Sequence, residues 1–216
     1  DGQTNTNFEL SYKIRETALN AAMLFRPNTA HSIQYGVAAK LYGMEPGNIQ
    51  PKGDNSIISA VELDKEQALE GAVYISDLYA VTERFAVDAG VRFSMYSALG
   101  ASTQRVYAEG LPKSDGTIQE VKNFGSAEFI KTYGAPEFRI SGRYLLGQDV
   151  SIKGSFNSLY QYIHALSTNT TVSPVDTWKL SDLNIKPQRA VHYSLGLYKN
   201  LNENMYELSL EGYFKK

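Results

Sequence analysis

The sequence predicts an all-β fold, an antiparallel meander that forms part of a large transmembrane β-barrel. Three observations predict it: apolar and polar residues alternate along strand-length segments, the connections are alternately short and long, and 15 tyrosines accompany a mean hydropathy of -0.32. Successive side chains of a strand point to opposite sides, so a wall between hydrocarbon and a wet lumen needs this alternation. No apolar run is long enough to predict a membrane-spanning helix.

The alternation is clearest in residues 85–95. One face suits lipid and the other suits water. The apolar face carries Phe85, Val87, Ala89, Val91, Phe93 and Met95, and the other carries Ala86, Asp88, Gly90, Arg92 and Ser94. A second strand precedes it across the turn 82–84, but apolar and polar residues are mixed on both of its faces around Asp77, so its orientation stays open.

The same period of two predicts about nine strands in the chain. In order, they are residues 8–14, 19–25, 33–41, 72–79, 85–95, 138–144, 150–157, 191–198 and 206–211. Pro27 and Asn28 favour a turn between the second and third, because Pro fixes φ and Asn tolerates turn conformations. Residues 61–71 contain good helix formers, so a short helix competes there with the rising end of a strand.

The connections differ systematically in length. Three are long and polar, at about residues 43–67, 102–132 and 167–188, and those between them are short, at 82–84, 147–149 and 200–204. Outer-membrane barrels have this asymmetry, with extended outer loops and tight periplasmic turns.

Charged residues of several strands fall on the predicted polar face, where a wet lumen tolerates them and lipid does not. These lumen-facing candidates are Asp88, Arg92, Arg139, Arg143, Lys153, Glu207 and Glu211. Opposite charges on neighbouring strands commonly pair, so cross-strand pairing is the first interpretation of the set. The alternative is that they help to line a substrate path.

Aromatic residues offer two further candidates. Eight tyrosines near predicted strand ends suit an interfacial girdle, although core packing or carbohydrate stacking would use the same residues. They are Tyr42, Tyr96, Tyr144, Tyr160, Tyr162, Tyr198, Tyr206 and Tyr213. Trp178, in the third long loop, is a candidate ligand-binding residue, since loops often carry recognition; holding the loop together is the alternative.

Several function classes find no support in the residues. The absence of cysteine excludes disulfides, thiol catalysis and thiolate metal sites, and the three histidines have no carboxylate at ligand spacing. No phosphate loop, nucleophile elbow or dinucleotide fingerprint occurs. A net charge of -2 gives no argument for nucleic acid. We therefore expect no enzyme, cofactor, metal site or nucleic-acid partner.

Two groups of motifs resemble one family. Residues 74–79, a short turn and residues 85–93 (Tyr-Ile-Ser-Asp-Leu-Tyr, then Phe-Ala-Val-Asp-Ala-Gly-Val-Arg-Phe) resemble a barrel hairpin of TonB-dependent receptors. Later runs resemble receptors of this class from the Bacteroidetes lineage: Ser-Pro-Val-Asp-Thr-Trp at 173–178, Asn-Ile-Lys-Pro-Gln at 184–188, Tyr-Ser-Leu-Gly-Leu-Tyr at 193–198 and Tyr-Glu-Leu-Ser-Leu-Glu-Gly-Tyr at 206–213.

The resemblance implies an N-terminal plug and a barrel of about 22 strands, so residues 1–216 would be a partial barrel domain. It implies TonB-energised uptake of a scarce or bulky ligand across the outer membrane of a Gram-negative bacterium. Implied partners are outer-membrane lipid, the TonB complex through the plug and, in some relatives, a surface lipoprotein lid. Two alternatives stay open: a non-transporting barrel that is a structural subunit of an envelope assembly, and a soluble glycan-binding β-sandwich whose apolar faces meet one another.

Overall fold

The structure, a computed structural model, describes residues 5–53, 55–166, 177–202 and 205–216. These residues form strands and one short 3-10 helix, Asp115–Thr117. The strands are β1 (Phe8–Phe25), β2 (His31–Pro51), β3 (Val61–Glu62), β4 (Glu66–Ala80), β5 (Phe85–Leu99), β6 (Ser102–Tyr107), β7 (Ile118–Phe124), β8 (Phe129–Leu145), β9 (Val150–Gln161), β10 (Ile163–Leu166), β11 (Thr177–Leu180), β12 (Gln188–Leu201) and β13 (Tyr206–Lys215). Among them there is no helix long and apolar enough to cross a membrane.

Eight long strands form one curled antiparallel sheet, in the order β1-β2-β4-β5-β8-β9-β12-β13. The short strand β3 adds to β2, and β6 with β7 and β10 with β11 form separate two-stranded hairpins. The sheet is a half-barrel, which confirms the predicted all-β meander.

The short connections all lie at one end of the sheet. At this end Asn28 accepts hydrogen bonds from the backbone N–H groups of Ala30 and His31, at 2.9 and 3.1 Å. The Thr82 hydroxyl accepts one from the Phe85 N–H at 3.0 Å. Side chains that cap their own backbone stabilise such turns. The long connections lie at the opposite end, so the predicted alternation of short and long connections is confirmed.

Most strands are longer than predicted; β8, for example, begins at Phe129 rather than near residue 138. The segments 8–14 and 19–25 are one strand, β1, which pairs with β2 along its whole length apart from one irregularity near Ser11. The first long loop is also shorter than predicted, because β2 continues to Pro51 and β4 begins at Glu66.

The short helix that was the alternative prediction for residues 61–71 does not form. Residues 66–71 belong to β4, which is hydrogen-bonded to β2 on one side and to β5 on the other. Helix propensity is a weak preference, and two neighbouring ladders override it.

The orientation of β4, left open by its sequence, is settled by Asp77. Ala72, Tyr74 and Ser76 point to the inner face, whereas Asp77 points outward near the short-turn end. Its carboxylate contacts His31 Nδ1 at 2.6 Å and accepts a hydrogen bond from the Ser32 N–H at 3.2 Å. The mixed pattern therefore has a local cause, a polar contact at the end of an otherwise apolar outer face.

The outer face carries large apolar side chains on all eight long strands, and they are exposed on seven strands and half-buried on β9. We call these residues the belt. On β1, for example, Leu19, Met23 and Phe25 are 74%, 63% and 55% exposed. The belt comprises Leu19, Met23, Phe25, Tyr35, Val37, Leu41, Leu69, Val73, Ile75, Val91, Phe93, Met95, Phe138, Ile140, Tyr144, Ile152, Phe156, Tyr193, Leu195, Leu197, Leu208, Leu210 and Phe214.

Towards the long-loop end the apolar residues change sides. Tyr12 and Ile14, on the same strand as Leu19, lie on the inner face near Trp178. A buried cluster continues from them, and we call it the rim cluster; it comprises Tyr42, Met44, Ala68, Tyr96, Ala98, Tyr162 and Leu180. The core of the molecule thus sits inside the curl at the long-loop end.

Candidate ligand path on the inner face

A network of charged and hydroxyl groups lies on the inner face just below the rim cluster. The Arg92 guanidinium lies 3.1 Å from Glu70 and 3.8 Å from Glu137, and both carboxylates are buried. The Tyr42 hydroxyl donates to Glu70 at 2.7 Å, and the Ser94 hydroxyl donates to Glu137 at 3.0 Å. Two buried carboxylates therefore share one guanidinium, and hydroxyl donors stabilise both.

All seven predicted lumen-facing residues lie on the inner face. The ladder sets Arg92 opposite Glu137, Arg139 opposite Gly90, and Arg143 opposite Lys153, and the remaining three, Asp88, Glu207 and Glu211, occupy the same face of their strands. Of the seven, Arg92 alone forms an ion pair with another residue of the described ranges. Cross-strand pairing, the first interpretation, is thus found only for Arg92, and Arg143 and Lys153 are neighbours of like charge.

Lys153 has an aromatic contact in place of a carboxylate. Its ammonium lies 3.9 Å from the centroid of the Tyr198 ring, within the range of a cation-π interaction. The Tyr198 hydroxyl in turn donates to Glu211 at 2.8 Å. These three residues line a cavity of about 620 Å³ that also contains Asp88 and Arg143. The lower inner face is therefore a polar trough.

The third long loop folds back onto the inner face. We call its described part the strap, which consists of β10 and residues 177–185. The Tyr96 hydroxyl donates to the Ser181 carbonyl at 2.8 Å, and the Tyr133 hydroxyl donates to the Asp182 carbonyl at 2.7 Å. Leu180 is 2% exposed and belongs to the rim cluster. The residues 167–176 of this loop, including the start of the motif at 173–178, lie outside the described ranges.

An ion cluster fixes the strap to β4. Lys179 contacts the Glu66 carboxylate and lies 2.9 Å from Asp182, and Glu66 accepts the Leu180 N–H at 2.8 Å. Burial raises the pKa of Glu66 above its ordinary range. Burial alone would lower the pKa of Lys179, but Glu66 and Asp182 outweigh it and raise that pKa. Lys179 is therefore held as a cation between two acids.

Trp178 lies at the edge of the strap, half-buried, with its ring centroid 6.3 Å from that of Tyr12. It lines a cavity of about 640 Å³ between the strap and the wall, together with Tyr160, Arg139 and the Glu70-Arg92-Glu137 network. Its packing against the rim cluster accounts for its position. The same position also places the indole in the lining of a cavity that contains polar groups.

Sequence reasoning missed a buried group at the base of the strap. His164 Nε2 lies 2.9 Å from the Ser181 hydroxyl, and burial lowers the pKa of His164. Ser181 is fully buried, and the Asp182 carboxylate is occupied by Lys179 and by the Asn184 and Ile185 N–H groups. A reactant could not reach this hydroxyl, so the group is structural. Residues 17 positions apart, with no motif around them, gave no signal in the sequence.

The predicted tyrosine girdle is wrong for six of its eight members: Tyr160 and Tyr198 line inner cavities, Tyr213 lies on the inner face opposite Ser194, and three more are buried. Tyr42, Tyr96 and Tyr162 are buried in the rim cluster, where Tyr96 and Tyr162 stack at 4.4 Å between ring centroids. Tyr144 and Tyr206 do face outward near the short-turn end, and both are exposed. Core packing, the alternative use of tyrosine, applies at the long-loop end.

No metal-binding cluster of three histidine, cysteine or acidic side chains occurs in the described ranges. The fold and its connections define the class of structure: a segment of a large antiparallel β-barrel with one polar and one apolar face.

Comparison with known proteins supports that class through structure alone. No family model matches the sequence, and no curated protein matches it significantly. Among solved structures, the chain is similar to the ferric yersiniabactin uptake receptor FyuA of Yersinia pestis, with a TM-score of 0.58 and 10% identity over 96% of this chain and 29% of that one.

Two further structures are similar. The ferric-catecholate import receptor Fiu of E. coli K12 matches with a TM-score of 0.55 and 16% identity, over 94% of this chain and 31% of that one. The copper transporter OprC matches with a TM-score of 0.55 and 12% identity, over 94% of this chain and 30% of that one. The chain thus spans about three-tenths of the length of these proteins and has the fold of their barrel walls.

Proposed function

We propose that the chain is part of the barrel wall and outer loops of a TonB-dependent outer-membrane receptor, which takes up a scarce or bulky ligand. The observation that carries the proposal is the belt, a continuous apolar outer face around a polar inner face. Alternating connections and the likeness to uptake and transport proteins support it. This role needs no catalytic step, and we propose no enzyme activity and no cofactor.

The height of the belt fits a membrane. On β2, outward apolar residues run from Ile33 to Leu41, close to the 9 to 11 tilted residues that a barrel strand needs to cross hydrocarbon. Above them the outward side chains are charged, with Arg15 and Lys65 at 3.9 and 3.6 Å from Glu45. Below them lies the contact between His31 and Asp77. Outer-membrane lipid is therefore the partner proposed for the belt.

The inner face supplies the proposed ligand path. Asp88, Arg139, Arg143, Lys153, Glu207 and Glu211 form no ion pair with another described residue and would meet solvent, ligand or another part of the receptor. Trp178 is proposed to contact the ligand from the strap, since it lines the same cavity as Arg139. Arg92 is proposed to stabilise the wall, because its guanidinium forms ion pairs with Glu70 and Glu137.

The remaining proposals rest on the motif resemblance. The TonB complex would act through a plug region that these residues do not contain, and the Bacteroidetes-type motifs leave room for a surface lipoprotein lid. A non-transporting structural subunit would share the belt and the inner face. The solved proteins of similar fold are all described as uptake or transport proteins, so transport is the better supported of the two.

The soluble β-sandwich finds no support. A sandwich would cover the apolar face with a second sheet, whereas Leu19, Leu195 and Leu210 of the outer face are 74%, 60% and 75% exposed. Within the described ranges the apolar face has no partner layer.

The test expresses the chain with the sequence that flanks it in its gene and follows the product by membrane fractionation and by electrophoresis with and without boiling. We expect outer-membrane partition and a faster band before boiling, because a closed barrel resists unfolding by detergent. A product that stays soluble without detergent would contradict the proposal. An outer-membrane barrel whose deletion leaves uptake of every tested nutrient unchanged would favour the structural subunit.

A further inference from the structure

The strap combines three properties that wall strands do not share. It crosses the inner face rather than extending it, it covers the rim cluster beside an open cavity, and it is held largely by polar contacts. Its hairpin contains only four residues in each strand, β10 and β11. A two-stranded hairpin of this size is marginally stable alone. The position of the strap therefore depends on what it touches.

The contacts of the strap converge on Lys179. One apolar side chain, Leu180, is buried in the rim cluster, and the neighbouring Lys179 links Glu66 of the wall to Asp182 of the strap itself. Breaking a buried ion pair by removal of one partner is strongly destabilising, because the remaining charge is left uncompensated. Without the ammonium, Glu66 and Asp182 would face each other as two acids with no cation.

The strap is also connected to the second long loop. Lys113 donates to the Asn184 carbonyl at 2.5 Å, and the Asn184 amide donates to the Arg105 carbonyl at 3.1 Å. These contacts are exposed, so water competes for them, and they contribute little on their own. They join the second and third long loops.

We propose that the strap is a latched cover over the rim cluster, with Lys179 as the latch between Glu66 and Asp182. In the docked position it packs on the wall residues of that cluster and borders the open cavity of about 640 Å³ that Trp178, Tyr160 and Arg139 line. When the latch is broken, the strap lifts from Tyr96 and Tyr133, and the cavity extends over the uncovered rim cluster towards the long-loop end. Its bearing on ligand access rests on the proposed function, but docking and lifting do not.

The test uses the absence of cysteine from the chain. Ala68→Cys places a single thiol on the inner wall, at a fully buried position in the same cluster as Leu180. Val121→Cys places one on β7, at a position that is 53% exposed, and is the control for reagent access. The rate of maleimide labelling is measured on the complete gene product purified in detergent, with and without Lys179→Gln.

With Lys179 present, we expect the thiol at position 68 to react far more slowly than the one at position 121. Lys179→Gln should raise the labelling rate at position 68 about tenfold or more. A tenfold change corresponds to a loss of about 1.4 kcal/mol in the free energy of docking. Lys179→Arg should stay close to the parent protein, because it keeps the charge and can reach both carboxylates. The rate at position 121 should not change.

Two results would overturn the latch. One is a thiol at position 68 that is as reactive as the control while Lys179 is present, and the other is a rate that Lys179→Gln leaves unchanged. Band migration before boiling shows whether the barrel itself stays folded. Labelling in detergent needs no transport and no outer-membrane location, so a failure of the proposed function and a failure of the latch are read separately.

Discussion

The belt and the rim cluster both follow from the alternation of side chains along a strand, but their apolar residues lie on opposite faces of the sheet. In β1 the outward residues Leu19 and Met23 are apolar, whereas nearer the long-loop end the inward residues Tyr12 and Ile14 are apolar. In β2 the outward Leu41 is followed by the inward Tyr42 and Met44. The side on which a strand carries its apolar residues thus depends on its surroundings at that height.

The proposed membrane location gives this contrast a physical cause. An apolar outer face is stable where lipid surrounds it, and there the inner face can be polar. Above the membrane the outer face meets water, so apolar residues are stable only inside the curl, where the strap covers them. The level at which the sides exchange, close to Thr17 and Leu41, therefore marks the proposed outer boundary of the membrane.

The largest expected effect is at Arg92, where the two regions meet. Arg92→Met leaves Glu70 and Glu137 buried without their cation, and we expect a loss of about 3 to 4 kcal/mol in the free energy of unfolding. Urea unfolding of the protein in lipid vesicles measures it. Adding Glu70→Gln and Glu137→Gln should recover most of the loss. Arg139→Met, which removes no ion pair among the described residues, should cost roughly 0.5 kcal/mol or less; an equal cost would contradict the network.

The next largest effect tests the belt directly. Val91→Arg sets a charge on the outer face near mid-belt, and we expect a loss of about 2 to 3 kcal/mol in lipid, because the guanidinium must leave water. Ser141→Arg, on the inner face of the adjacent strand, is the matched control and should be nearly neutral. The same unfolding titration compares them. Equal losses at the two positions would show that lipid does not cover the outer face.

A smaller effect compares the space available for an added methyl group on the inner and outer faces of the sheet. A Cβ at Gly36 would lie 2.7 Å from the Tyr74 hydroxyl and would also clash with the Ala21 carbonyl. Gly36→Ala should therefore cost about 1 to 2 kcal/mol through overpacking. A Cβ at Gly71 would meet nothing within 4 Å, so Gly71→Ala should not destabilise the sheet by this route. Thermal unfolding of the two variants would reject this account if their midpoints fell equally.

The smallest effect is a pH dependence of strap docking. Burial lowers the pKa of His164 in the docked strap, so its contribution to docking is complete above pH 6.5 and is lost as the pH falls through the lowered pKa. Glu66 acts in the opposite direction, because burial raises its pKa and its ionisation therefore costs docking free energy as the pH rises, a cost that the Lys179 ammonium offsets in part. Asp182 also faces His164 and favours its protonated form.

Comparing the protein that has His164 with its His164→Gln variant isolates the contribution of this histidine to the pH dependence of docking. Between pH 7 and pH 5, the labelling rate at position 68, divided by the rate at position 121, should rise about threefold more with His164 than with His164→Gln. The division removes the pH dependence of the thiol itself. Identical curves for the two proteins would show that His164 does not oppose docking in acid.

Much of the fold could be predicted because alternation and turn chemistry are local. Phe85 to Met95, the turn at Asn28 and the order of short and long connections all follow from neighbouring residues. Alternation reports that a strand has two faces but not what covers each. For that reason it could not show that Tyr42, Tyr96 and Tyr162 turn inward to form a core.

The candidate site was predictable only in part, and for the same reason. Placing Arg92, Arg139 and Lys153 on one face needs only their position in the strands. The contact of Lys179 with Glu66 depends on a loop that returns across the sheet, and that of His164 with Ser181 on how the loop folds on itself. Neither contact leaves a periodic pattern in the sequence.

The order of strands in the meander has a kinetic consequence. Each long strand pairs with neighbours that are close in sequence or separated by one loop, so the wall can assemble one hairpin at a time with little loop-closure cost. The contact between Lys179 and Glu66 joins residues 113 positions apart and needs β4 already in place. We therefore expect the mouth of the barrel to acquire its final shape late in folding, after the wall beneath it has formed.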